Sequence, residues 1–228
     1  MYINHTHKFI FVHVPKTGGM TTRYFFRNNK IKNQSYLEDE NLDNKDVDKV
    51  INRYIENEVQ FMFTLHLPIT FMKKYYSDEF NSYYKFGVVR NPYDRFISSF
   101  YYKQPVNVFE LDIESTKKFI KQKYIPRIEA KKNTMQVVLP QHKFLCDENG
   151  KIIVNKVYRY AKDLKPVLEN MILDLNLPIV NPIMESKNIS GKSRFDKNLL
   201  LDDELKNWIY DFYKKDFEIF EYSKNYPA

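Results

Sequence analysis

The sequence predicts an α/β fold with a mainly parallel central sheet flanked by helices, and three observations carry that prediction. Short apolar runs alternate with segments of helical spacing, the pattern of a sheet covered by helices. The run at residues 9–14 is apolar on both faces, as in a strand buried between two layers. Three such runs end in polar residues, at Lys16, His66 and Arg90. No break in composition divides the chain, so its 228 residues read as one domain, 1–228, with length enough for a substantial core.

In the first strand, 9–14, Phe9, Phe11 and His13 share one face and Ile10, Val12 and Val14 the other. A glycine-containing turn follows, then a helix from 21 to about 29 and a polar stretch from Lys30 to Asp43. Val47, Val50, Ile51, Tyr54 and Ile55 keep helical spacing and predict an amphipathic helix over 44–57. Strands are expected at 59–65 and 85–90. Pro92 near a first helical turn, where its missing N–H costs nothing, opens a helix to about Tyr102. Farther on, 111–124 reads as helix and 143–154 as a hairpin turned at Asn149-Gly150. Helices are expected at 163–175 and 202–222, the last with Trp208, Phe212, Tyr213, Phe217 and Phe220 as a core stripe.

Composition sets outer bounds. With 43% hydrophobic and 16% aromatic residues, disorder is excluded for most of the chain. Cys146 stands alone, so no intrachain disulfide forms, and a small buried hydrophobe is its plainest role. No apolar run approaches the ~20 residues of a membrane span. The N-terminal residues lack the apolar core of a signal peptide, which makes a soluble, cytoplasmic protein the expectation. The net charge of +7 suits an anionic ligand without specifying one.

The carboxyl ends of parallel strands line one edge, where ligands bind. At the first, Pro15-Lys16-Thr17-Gly18-Gly19-Met20-Thr21-Thr22 leads into a helix whose N–H groups favour an anion. Gly18 and Gly19 let the backbone come close, Thr17, Thr21 and Thr22 add hydroxyls, and Lys16 adds charge. Its lysine precedes the glycines, the reverse of a Walker A loop. At the third strand end, Arg90 and, two turns into the following helix, Ser98 suit a terminal phosphate. Arg95 reads equally as a structural ion-pair partner. Anion contacts at two strand ends point to a ligand with two separate phosphates, as on a 3′,5′-bisphosphorylated adenosine.

The segments FVHVPKTGGMTT and FGVVRNPYDRFISSFYY resemble the 5′-phosphosulfate and 3′-phosphate motifs of the sulfotransferases, in particular the carbohydrate (family 2) type. The resemblance implies a P-loop-like sulfotransferase fold, 3′-phosphoadenosine 5′-phosphosulfate (PAPS) as donor and adenosine 3′,5′-bisphosphate as product. It also implies no required metal and a hydroxyl acceptor, expected on a sugar. QHKFLCDENGKIIVNKVYRY and DDELKNWIYDFYKKDFEIFEY resemble later family segments. NISGKSRF (188–195) stands where a loop covers the nucleotide, which adds Lys192 and Ser193 to the binding residues. Met20 replaces the family's usual Thr, and Thr22 is the residue that could compensate. After Arg159, YAKDL departs from the family's aromatic-glutamate pattern.

On this reading Lys16 stabilises the leaving oxygen and His66 is the general base, with His142 as second choice. A satisfied core histidine is the plain alternative for His66, and His13 reads as structural. His5 and His7 are expected on a mobile terminus. Three rival functions stay open: an impaired sulfotransferase that still binds its nucleotide, a non-catalytic binder of nucleic acid or acidic polysaccharide, and an ATP-dependent P-loop kinase. A kinase expects its lysine after the glycines and an acid at a neighbouring strand end. A polymer binder expects a concentrated basic stripe, whereas acids and bases are mixed along this chain. Enzymatic sulfuryl transfer without nucleic-acid or membrane partners is therefore the favoured expectation.

Overall fold

The computed structural model describes residues 1–32, 66–102, 106–130, 135–184 and 195–226. Among the described residues the sheet has four strands in the order β1 (Tyr2–Asn4), β2 (Phe9–Val12), β3 (Tyr84–Arg90) and β4 (Lys156–Tyr160). β1 runs antiparallel to β2, and β2–β3 and β3–β4 are parallel pairs. The expected α/β class with a mostly parallel sheet is what the chain forms. The helix 44–57, the strand 59–65 and the segment 188–194 with Lys192 and Ser193 lie outside the described residues.

Alternation along β2 builds both faces as the sequence requires. Phe9 and Phe11 pack with Phe86, Val88 and Tyr158, beneath Phe25 and Phe26 of helix α1 (Gly19–Asn28) and Leu168 and Met171 of a helix at Lys165–Asp174. Ile10, Val12 and Val14 pack on the other face with Val89, Phe71, Met72, Phe144 and Leu145. A third cluster is helical. Phe96 and Phe100 of α2 (Pro92–Phe100) meet Ile120, Tyr124, Leu205, Ile209, Tyr213 and Phe217 there. Cys146 is buried and unpaired, and burial pushes its thiol up to about 12, as expected for a small core residue.

Several boundaries differ from the sequence expectation, each for a physical reason. The N-terminus, expected to be mobile, is instead tied into the fold: Tyr2 and Ile3 enter opposite faces of the sheet, and His5 Nδ1 pairs with the Tyr83 hydroxyl at 2.7 Å. The helix expected over 111–124 is α-helical at Ile113–Phe119, widens to a π-turn at Ile120–Tyr124 and resumes at Ile125–Ala130. Pro126 supplies the cause, because its ring crowds the preceding turn and it has no N–H to donate. The expected hairpin begins as a helical turn at His142–Leu145. Its strands meet at a single bridge, Cys146 to Ile152, though the turn does fall at Asn149-Gly150, with Gly150 at φ 81°. The C-terminal helix is two, Asp203–Phe212 and Lys214–Ile219, broken at Tyr213.

One side chain ties these layers to the loop after β2. Arg95, 1% exposed, donates from Nε to the Pro15 carbonyl at 2.9 Å. Its Nη2 donates to the carbonyls of Leu139 at 2.7 Å and Val137 at 3.3 Å, and its guanidinium lies 5.7 Å from the Tyr213 ring centroid. It is a structural residue, as the sequence allowed, but it grips carbonyls instead of a carboxylate. Lysine cannot span all three acceptors. Arg95→Lys is expected to lower the unfolding free energy by about 1.5–3 kcal/mol, read from the midpoint of urea denaturation. An unchanged midpoint would show that the clamp carries no stability.

Candidate functional site

The end of β2 and the end of β3 lie side by side, so the loop from His13 to Gly18 abuts Arg90. The loop is shaped by its own backbone. Val14 N–H donates to Val12 O at 3.1 Å, and the Thr17 hydroxyl donates to Val14 O at 2.9 Å. Gly18 adopts the left-handed region at φ 85° as the cap of α1, a conformation that suits glycine. Lys16 sits at φ 66°, a region costly for a residue with a side chain. No side chain caps α1 and no acid lies in its first turn, so its leading N–H groups face the loop without an anionic partner of their own.

Gly19 also has a task that its motif does not announce. A Cβ at this position would lie 1.9 Å from His13 Cδ2 and 2.0 Å from His13 Nε2. The glycine thus makes room for an imidazole inside the protein. That ring in turn meets His66, with centroids 4.4 Å apart, and His66 Nδ1 donates to the His13 carbonyl at 2.9 Å. Because a carbonyl can only accept, Nδ1 carries the proton and Nε2 holds the lone pair. Burial lowers the His66 pKa to about 4, against the raising effect of that bond, with positive charges including Arg23 and Arg95 adding to the fall. His66 is therefore neutral at pH 7.

Positive charge accumulates around the loop. Lys16 falls to about 8, first through burial and then through Arg90 and Arg95. Its Nζ rests 4.3 Å from the centroid of the Tyr102 ring. Arg90 Nη1 donates to Lys16 O at 3.5 Å, and the guanidinium lies 4.8 Å from the Tyr160 centroid. Buried Arg90 Nε and Arg95 Nη1 have no hydrogen-bond partner among the described residues. Orphaned cationic donors beside a helix N-terminus fit an anion with several oxygens.

Two residues that were not among the expected site residues hold Arg90 in place. The Gln141 amide accepts from Arg90 N–H and donates to Arg90 O, both at 2.9 Å, in the manner of an adjoining strand. Fully buried Asp216 accepts from the backbone N–H groups of Gln141 and His142 and from His142 Nδ1, at 2.7, 2.9 and 2.7 Å. This ties the imidazole of His142, the second-choice base, to a buried carboxylate. Both stood in segments that resemble the family, Gln141 in QHKFLCDENGKIIVNKVYRY and Asp216 in DDELKNWIYDFYKKDFEIFEY, but nothing in the sequence joined them across 75 residues.

The remaining candidates are placed unevenly. Thr17 and Thr22 are buried, and both hydroxyls donate to loop carbonyls, Thr22 to Gly18 O at 3.3 Å, so Thr22 does not replace the hydroxyl missing at Met20. Thr21 and Ser98 are half-buried on α1 and α2. Ser99, next to Ser98, is the buried one and accepts from the Tyr124 hydroxyl at 3.0 Å.

The buried histidines make stability depend on pH in a defined direction. His13 and His66 both have folded pKa values below the ordinary 6.5, chiefly through burial, so the unfolded chain binds more protons as pH falls below 6.5. Their contribution to stability is complete above that value and declines from 6.5 towards 4. His66→Gln is expected to flatten this decline in urea melts recorded at pH 7, 6 and 5. Parallel curves for the two proteins would exclude His66 as a source of the slope.

Neither the curated proteins nor the solved structures compared include a match to this chain. A family model described as sulfotransferase family matches residues 1–223, nearly its whole length. Members of that family transfer sulfuryl groups, generally from PAPS, to an acceptor substrate. The chain belongs to the sulfotransferase family.

Proposed function

We propose that this chain transfers a sulfuryl group from PAPS to an acceptor hydroxyl on a carbohydrate or glycoconjugate, by in-line displacement. The observation that carries the reading is the gathering of Lys16, Arg90 and the α1 N-terminus around one loop, with orphaned guanidinium donors and no acid in the first turn. In this reading Lys16, the backbone of Thr17–Gly19 and the first turn of α1, with Thr21, hold the 5′-phosphosulfate. Arg90 and Ser98 hold the 3′-phosphate, and Lys192 and Ser193 complete the nucleotide contacts.

The acceptor oxygen attacks sulfur as the bond from sulfur to the bridging phosphate oxygen breaks. His66 takes the hydroxyl proton on Nε2, the nitrogen left basic by the bond from Nδ1 to His13 O. Lys16 neutralises the oxygen that leaves with the bisphosphate. A His66 pKa of about 4 keeps the base unprotonated, and an anion bound at the loop raises it towards the range in which proton transfer is effective. The same anion raises Lys16 from about 8. Binding therefore takes up protons near pH 8 and weakens as pH rises above it.

Calorimetric titration with adenosine 3′,5′-bisphosphate, against ATP and adenosine 5′-phosphate, tests the donor. Binding that requires the 3′-phosphate is expected, and a preference for ATP would overturn the reading. Arg90→Ala is expected to cost the bisphosphate about 2–4 kcal/mol more than adenosine 5′-phosphate, and equal losses would remove Arg90 from the 3′ contact. His66→Ala should abolish transfer, by a factor of about 10²–10⁴, while leaving bisphosphate affinity nearly intact. Comparable turnover would exclude it as the base. A second reading, a nucleotide binder with impaired transfer, is favoured by the inward-turned hydroxyls of Thr17 and Thr22 beside Met20. Bisphosphate binding with no transfer to any hydroxyl would establish it.

A further inference from the structure

We propose that Asp216 is a positioning residue for donor recognition: through Gln141 it holds the end of β3 so that the Arg90 guanidinium meets the 3′-phosphate. The inference rests on the sulfuryl-transfer reading and deepens it, assigning the preference for a bisphosphate to a carboxylate that touches no ligand. The need for a holder lies in the sheet. The β2–β3 ladder stops at Val12 and Gly87, three residues short of Arg90, whereas the β3–β4 ladder runs on to Arg90 and Tyr160. At Arg90 one edge of β3 therefore has no strand beside it among the described residues, and a strand end with unpaired backbone groups frays.

Gln141 takes that edge. Its side chain is fully buried, and its amide accepts from Arg90 N–H and donates to Arg90 O, both at 2.9 Å. A side chain replaces a strand only where its own backbone is fixed, and two residues fix this one. Arg95 Nη2 holds the Leu139 carbonyl at 2.7 Å, two positions earlier. Asp216 accepts from Gln141 N–H at 2.7 Å and from the backbone N–H and Nδ1 of His142 at 2.9 and 2.7 Å. Three N–H donors thus converge on two carboxylate oxygens. An asparagine at 216 would turn an NH2 group towards one of them, leaving a buried donor unmatched. The hydrogen bonds themselves specify a carboxylate.

The helix that carries Asp216, Lys214–Ile219, also bears on Arg90 from the opposite edge of β3. Just past its end, Glu221 Oε2 accepts from Arg159 Nη2 at 3.0 Å, and the Tyr222 ring centroid lies 5.5 Å from the Arg159 guanidinium. Arg159 precedes Tyr160, whose ring centroid lies 4.8 Å from the Arg90 guanidinium. Backbone and side chain of Arg90 are therefore both set from the end of the chain. Its buried Nε is left without a partner among the described residues, and a phosphate oxygen suits that donor.

Calorimetric titration of adenosine 3′,5′-bisphosphate and adenosine 5′-phosphate into the native protein, Asp216→Asn and Gln141→Met tests this hold. Both variants are expected to lose about tenfold in affinity for the bisphosphate and little for the 5′-phosphate, because Lys16 and α1 are untouched. Gln141→Met keeps Asp216 and its helix, so it reads the hold even where Asp216→Asn does not fold. Tyr158→Phe, which loses the bond from its hydroxyl to Asp174 Oδ2 at 2.6 Å, controls for stability alone. It is expected to lower the urea midpoint and to keep the whole 3′ preference. An intact preference in Asp216→Asn and Gln141→Met, equal losses for both nucleotides, or the same loss of preference in Tyr158→Phe would each overturn the proposal. The Arg90 Nε–H resonance, identified by its loss in Arg90→Lys, separates the two readings. If the native protein binds both nucleotides alike, the donor assignment falls. A resonance that moves in both variants then upholds the hold on Arg90, and an unmoved one overturns it.

Discussion

A single buried guanidinium holds together the parts from which the site is made. Arg95 sits on the helix after β3, yet its three carbonyl partners belong to the loop after β2 and to the segment 137–139. No carboxylate among the described residues neutralises it. A buried cation without a counter-charge is costly unless its donors are matched, and here carbonyl dipoles do most of that matching while one Nη1 is left over. The arrangement places fixed positive charge beneath Lys16, so the loop is electrostatically incomplete as it stands. In the proposed reading, part of the attraction for an anion comes from a residue that need not touch it.

A comparable device fixes the other half. Beyond its pairing with β4, β3 finds at Arg90 a side-chain amide in place of a further strand, and Gln141 is itself anchored by Asp216 from the C-terminal helix. Arg90 is thus held through its backbone, which leaves its guanidinium between Lys16 O and the Tyr160 ring. The last helix of the chain in this way governs where a strand-end arginine points.

What could be read in the sequence was local. Phe9–Val14 announced their two faces by alternation, and the loop and helix after them, like Arg90 and Pro92, formed contiguous patterns whose chemistry requires no partner elsewhere. β1 was hidden because it is three residues long and gains its stability from pairing with β2. β4 was hidden because Lys156–Tyr160 alternates charge with tyrosine at a half-exposed edge. The Arg95 clamp and the Asp216–Gln141 chain join residues 42 to 80 positions apart, a separation that no period or short motif encodes. The helix break at Tyr213 likewise follows from packing: its ring is buried against the Arg95 guanidinium and its hydroxyl reaches Val138 O.

The contact between Gly19 and the His13 ring has a mechanical consequence. The imidazole fills the space a side chain at 19 would need, and its carbonyl sets the tautomer of His66. The loop residue, the ring that spaces it and the histidine proposed as base are thus in direct contact, one against the next. Any side chain placed at 19 would push first on His13 and through it on His66, so the smallest residue of the loop sets the position of a ring two contacts away.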